Sequence, residues 1–253
     1  MILVQIQQIS TATVLIESAS RLAKQLGKTF GILRFVENDE DSELILNQLK
    51  GLENFGVVTL FVRNSNKQLL SEVCEEVEAS FLFIQVSDNK TKSIRNLLNI
   101  CRDLRIPYLF YKDTFAALDL TKVILPIGFL EEELEKAQFA SAFGRFCGSE
   151  IKMLLANDYG SKAATNADKM KSLFDKFDFR YTLEKATKDS FKVESEAIQV
   201  AENERAGIII VSASRDYGLD DILFGPKEYH VVKKSPVPVL LVNPRGDLYA
   251  LCD

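Results

Sequence analysis

Short apolar runs alternate with stretches of helical periodicity along the whole chain. Ile2–Ile6 is apolar almost throughout and predicts a strand. From Thr13, the residues Leu15, Ala19, Leu22, Ala23 and Leu26 fall on one helical face, and Gly27 supplies the stop. Thr29–Val36 predicts a second strand. The acidic loop Asn38–Ser42 leads into a helix through Lys50 with Leu44, Leu46 and Leu49 on its face. Val57–Val62 and Phe81–Val86 predict strands, separated by a helix marked by Leu70, Val73, Cys74 and Val77. Ile94, Leu97, Leu98, Cys101 and Leu104 mark another helix before a strand at Ile106–Tyr111.

The order then begins again. Val123–Ile127, Glu150–Ala156, Phe179–Leu183, Ile208–Val211 and Val237–Val242 predict strands. Helices are predicted over Leu130–Phe146, stopped by Gly148, and over Ala163–Phe177 and Val193–Glu204. A short helical pattern precedes the last strand. Strands apolar on both faces and separated by helices belong to a parallel sheet covered on both sides. A few identities support an internal repeat. Ala19, Ser20 and Gly27 match Ala140, Ser141 and Gly148 at a displacement of 121, and Pro107 and Leu109 match Pro238 and Leu240 at 131. The expected architecture is α/β: two tandem doubly wound domains, residues 1–116 and 117–253. Phe115–Thr121 is the connector, and the halves are expected to pack in a pseudo-two-fold relation.

A net charge of −5, with no run of basic residues longer than two, argues against nucleic acid as a partner. No run approaches the ~20 apolar residues of a membrane span, and MILVQIQ lacks the features of a signal peptide. Cys74, Cys101, Cys147 and Cys252 share no metal-binding spacing and read as reduced thiols, so a cytoplasmic protein is expected. His230 is the only histidine and has no Cys or Asp at ligand spacing. No catalytic residue and no metal site are assigned, and the chain is not expected to be an enzyme. The run Glu131-Glu132-Glu133 reads as a helix start favoured by the dipole. Arg245-Gly246-Asp247 reads as a chance tripeptide. The apolar tail Leu248–Cys252 is expected to pack on the other half or on a partner chain.

IIIVSASR, LDDILFGP and KKSPVPVLLV in the second half, with the weaker FLFIQVS and RIPYLFY in the first, resemble the universal stress protein family. The resemblance spans nearly the whole chain as two such domains. It implies, for each, a five-stranded parallel sheet in the order 3-2-1-4-5 with helices on both faces. Members that bind ATP use an Asp at the end of the first strand and a loop of spaced glycines, closed by Ser or Thr, after the fourth. Here Gln7 and Gly128 stand in place of the Asp. Ala213 and Asp216 stand where the first two glycines are expected; Gly225 is retained, and Pro226 replaces the Ser or Thr. Proline has neither N–H nor hydroxyl, so two phosphate contacts vanish. At roughly 1.5–3 kcal/mol each, their loss weakens binding on the order of a hundredfold or more.

The resemblance therefore implies a non-catalytic, universal-stress-type protein acting in stress response through contacts with a protein partner, without a cofactor. The alternative is a regulatory module in which Ser214, Arg215, Gly225 and Lys227 hold ATP, AMP or a smaller anion. Ser87–Ser93 in the first half has no glycine. Its Lys90, Lys92 and Ser93 read either as a solvated helix start or as an anion site. Intrachain pseudo-dimer, monomer and homodimer all remain open.

Overall fold

The computed structural model describes residues 1–51, 58–87, 91–214 and 227–244, with the backbone alone at 91 and 92. The chain divides into two compact units, Met1–Leu118 and Asp119–Asp253.

In the first unit, strands β1 (Ile2–Ile6), β2 (Phe30–Val36), β3 (Val58–Asn64), β4 (Phe81–Val86) and β5 (Tyr108–Lys112) lie in the order β3-β2-β1-β4-β5. All the pairings within this unit are parallel. Every residue of β1, β4 and β5 is buried, as strands apolar on both faces require. Helix α1 (Thr13–Gln25) buries Leu15, Ile16, Ala19, Leu22 and Ala23, and Gly27 follows with φ +61°. Helices α2 (Ser42–Lys50), α3 (Leu70–Glu76) and α4 (Thr91–Cys101) complete the unit. In α2 the expected apolar face is not realised: Leu49 is buried but Leu44 is exposed. Five residues of helix turn through about 140° beyond a full circle, so Leu44 and Leu49 cannot share a face.

In the second unit, β6 (Lys122–Ile127), β7 (Glu150–Leu155), β8 (Tyr181–Lys185), β9 (Ile208–Ser212) and β10 (Val239–Val242) lie in the order β8-β7-β6-β9-β10. This is again third, second, first, fourth, fifth, and the pairings within the unit are parallel. Among the described residues its α-helices are α5 (Glu135–Cys147), α6 (Lys162–Lys176), α7 (Val193–Asn203) and α8 (Lys227–Lys234). The helix expected over Leu130–Phe146 is broken. A 3-10 turn, Glu131–Leu134, precedes α5, because Glu133 folds back onto the end of β6. Gly148 ends α5 at φ +67° and donates its N–H to Phe143 O. Strand β8 is the exposed member, at the end of the strand order.

Cys74 and Cys101 are buried and Cys147 is half-buried, all outside any disulfide; Cys252 lies outside the described residues. Burial pushes Cys74 up to about 12 and Cys147 up to about 11, so neither is a thiolate at neutral pH. The segment 245–253, with the Arg-Gly-Asp tripeptide and the apolar tail, also lies outside the described residues. Among the described residues, no helix is long and apolar enough to cross a membrane.

Gly207, just before β9, lies against the backbone of Asp119. A β-carbon there would fall 1.4 Å from Asp119 O, and Gly207 N donates to Lys122 O at 3.1 Å. Backbone cannot swing aside as a side chain can. Gly207→Ala is expected to cost about 3 kcal/mol or more in urea denaturation, above the usual penalty for one added methyl.

Candidate functional site

In open parallel sheets, ligands rest beyond the carboxyl ends of the strands where the strand order reverses. These places are the end of β1 beside β4 in the first unit and the end of β6 beside β9 in the second.

At the end of β1, Gln85 of β4 is fully buried and fills the position. Its Oε1 accepts the backbone N–H groups of Gln7 (2.7 Å) and Gln8 (2.8 Å). Its Nε2 lies within hydrogen-bonding distance of three acceptors: Gln8 O at 3.0 Å, Thr11 Oγ1 at 3.0 Å and Asp113 Oδ1 at 2.8 Å. Thr11 donates to the other oxygen of Asp113 at 2.6 Å, and Ser87 donates to Gln7 Oε1 at 2.8 Å. One amide thus satisfies the strand end that would otherwise face a ligand. Gln7, which stands for the family's Asp, is tied into the same network. Of the first-half loop, residues 88–90 and the side chain of Lys92 lie outside the description.

At the end of β6 the same task falls to charged side chains. Gly128 N donates to Glu133 Oε2, and Lys136 Nζ donates to Pro126 O and to Glu133 Oε2, the latter at 3.3 Å. Asn166 Nδ2 reaches Gly128 O (3.0 Å) and Leu130 O (2.9 Å). Phe129 N donates to Ser190 Oγ at 2.9 Å, and that hydroxyl donates to Asp158. A β-carbon on Gly128 would fall 2.9 Å from Glu133 Oε1 and 3.0 Å from Ser190 Oγ. The position of the family's Asp is therefore closed to any side chain without movement of both neighbours.

Of the four residues expected to hold an anion, Ser214 and Lys227 are described; Arg215 and Gly225 are not. Both described residues are engaged by carboxylates. Ser214 N donates to Glu228 Oε1, and Lys227 Nζ donates to Glu194 Oε1 at 3.0 Å. Glu194 and Glu228 are buried, as are Glu133 and Lys136. With Lys227 these make a cluster of three carboxylates and two ammonium groups. Burial pulls Lys136 below the ordinary lysine value, against the attraction of Glu133 and Glu194. Burial likewise pushes Glu194 up, against Lys227 and Lys136. For Lys227, burial acts downward, but Glu194 and Glu133 outweigh it and hold the ammonium charged. Glu228 is pushed up to about 7, chiefly by burial, and its Oε2 has no hydrogen-bond partner. A proton on Glu228 leaves two carboxylates against two ammonium groups, the neutral state that a poorly solvated site favours.

Three of these buried charges, Lys136, Glu194 and Glu228, were not singled out from the sequence. A signal was present: each sits in register with the apolar face of its helix. Lys136 aligns with Ala140 and Phe143 in α5, Glu194 with Ala197 and Ala201 in α7, and Glu228 with Val231 and Val232 in α8. Glu133, read as part of a helix start favoured by the dipole, lies in a 3-10 turn and is buried with its carboxylate on Gly128 N.

No family model matches the chain, and no curated protein matches it by sequence. Solved structures do. A universal stress protein from Archaeoglobus fulgidus aligns at TM-score 0.73 with 13% identity, covering 97% of each chain. A functionally unknown protein from Pseudomonas aeruginosa aligns at 0.67 with 14% identity, over 99% of this chain and 94% of its own. A putative universal stress protein from Pseudomonas aeruginosa aligns at 0.65 with 13% identity, over 99% and 95%. The chain therefore has the α/β fold of universal stress proteins along nearly its whole length.

Glu228 carries a pH signature. At pH below its ordinary value of 4.5, folded and unfolded chains both hold its proton. Between 4.5 and about 7 the unfolded chain releases it and the folded chain keeps it, so stability falls as pH rises; above about 7 the fall levels off. The span corresponds to about 3 kcal/mol. Glu228→Gln keeps an acceptor for Ser214 N and removes the titration. Chemical denaturation on both sides of this window should show the variant gaining on wild type as pH rises, by up to that amount.

Proposed function

We propose that the chain is a tandem universal-stress-type protein that works through contacts with a protein partner in a stress response, without using a nucleotide. The observation that carries this reading is the carboxylate of Glu228 on Ser214 N. In a phosphate-binding loop that N–H would receive an anionic oxygen of the ligand; here the chain supplies the oxygen itself. Three features support it further. Gly128 has no room for an adenine-side Asp. Lys227 is neutralised by Glu194. Gln85 closes the matching place in the first unit.

The second reading, a nucleotide or small-anion module built on Ser214, Arg215, Gly225 and Lys227, requires Glu228 and Glu194 to release both described members. A non-catalytic role is favoured by the pairing of the described cluster, whose charges, Glu228 Oε2 apart, are taken up by the chain's own backbone or by one another.

Calorimetric titration with ATP, ADP and AMP is expected to give no heat up to millimolar ligand, after absorbance has excluded co-purified nucleotide. Micromolar binding would overturn the proposal. Restoring the acid by Gly128→Asp is expected to create no nucleotide site, and to lower the Tm by several degrees through the clash with Glu133 and Ser190.

A further inference from the structure

A groove of about 220 Å³ runs between α7 and α8 of the second unit, sharing Glu194 and Lys227 with the charge cluster at the end of β6. Lys192, Lys227, His230 and Lys234 line it, with Ile198 and Val231 as its apolar part. Lys192, His230 and Lys234 are exposed, and their side chains have no ion pair or hydrogen bond among the described residues; the His230 ring meets that of Tyr229 edge-on at 5.0 Å. Glu194 is the one carboxylate in the lining, and it is already committed to Lys227. At the rim stands Phe191, 80% exposed, its ring edge-on to Phe129 at 5.6 Å. The groove is thus basic on a chain whose net charge is −5.

Its dimensions restrict what it can take. The volume lies below the roughly 300–1,000 Å³ of pockets that enclose a whole small molecule. It suits one or two side chains inserted from outside. Lys227 and Lys234 open and close α8, and seven residues of helix separate them by about 10 Å. Lys192 caps α7 at the Lys227 end, where Glu194 of the second helical position meets Lys227. The two unpaired lysines, Lys192 and Lys234, therefore stand at opposite ends, and a single phosphate cannot reach both. A ligand that meets both needs anionic groups separated by about two helical turns, with an apolar group between. A helix bearing acidic residues seven apart, and an apolar residue at the turn between them, has that spacing.

We propose that this groove docks an acidic amphipathic helix of a partner protein. Carboxylates of the partner lie over Lys192 and Lys234, and its apolar side chain lies against Ile198 and Val231. The inference rests on the partner-binding reading above and names the surface and the chemistry of that partner.

His230, the only histidine, supplies the only imidazole Hε1 proton for an NMR spectrum of the full chain, so that resonance is the reporter of the groove. The probe is a capped helical peptide with two Glu seven residues apart and Leu between; its control carries Lys in place of both Glu. The Glu peptide is expected to shift the His230 signal saturably at low salt. The double reversal Lys192→Glu/Lys234→Glu, at two exposed positions that leave the melting curve unchanged, should weaken that binding about tenfold and admit the Lys peptide instead. Three results each overturn the inference: no shift with the Glu peptide, equal binding of both peptides to wild type, or equal binding of the Glu peptide to the reversed chain. A shift produced by inorganic phosphate or ATP but not by the Glu peptide overturns it too, and makes the groove a small-anion site. Failure here with no nucleotide heat leaves the partner to bind elsewhere. Nucleotide heat that survives the double reversal sinks the partner reading without touching the groove.

Discussion

Backbone N–H and C=O groups at the ends of inner strands must be hydrogen-bonded by something. In a parallel sheet, the place where the strand order reverses leaves such groups without a neighbouring strand, and a bound ligand is one way to satisfy them. This protein satisfies them from within. Gln85 takes the N–H groups of Gln7 and Gln8; in the loop after β6, Glu133 and Ser190 take the N–H groups of Gly128 and Phe129, and Asn166 donates to the carbonyls of Gly128 and Leu130. The rest of the arrangement follows. Once Glu133 turns back to Gly128, the chain between β6 and α5 tightens into a 3-10 turn. Once Glu133 is buried it needs a cation, and Lys136 is one turn away.

The two strand ends use different chemistry for the same task. Gln85 is a neutral amide with both a donor and an acceptor, so it closes its site without charge. The second unit uses ions. Buried ions cost more to hold in place than neutral groups, and a pair left incomplete costs most. That explains why the cluster extends through five residues on the 3-10 turn, α5, α7 and α8, and why its surplus carboxylate, Glu228, holds a proton so near neutrality.

Much of this fold could be read along the chain. Strands such as FLFIQV and IIIVS are apolar on both faces, and only a covered parallel sheet buries such runs. The Gly27 and Gly148 stops were legible because left-handed backbone favours glycine. That Gln7 and Gly128, not an acid, follow the first strand of each unit was also legible, because residue type shows in one dimension. What fills those strand ends was not. Gln85 reads as a polar interruption of a strand, and Glu133 as one of three adjacent acids in a helix start. Lys136, Glu194 and Glu228 come from three separate helices, and only the folded chain brings them to one strand end. The Leu44–Leu49 face failed for a simpler reason: three leucines within six positions suggest a stripe that the helical period does not allow.

The contact of Gly128 with Glu133 and Ser190 also bears on how such a chain can change over generations. A site that lacks one side chain can be gained by one substitution. At position 128 an Asp would meet Glu133 and Ser190, and each of these is held by other groups of the chain. Glu133 could be withdrawn only by stranding Lys136 and Gly128 N; an Asp could enter at 128 only against Glu133. An acid at this strand end therefore needs several changes at once, and the closure behaves as a ratchet.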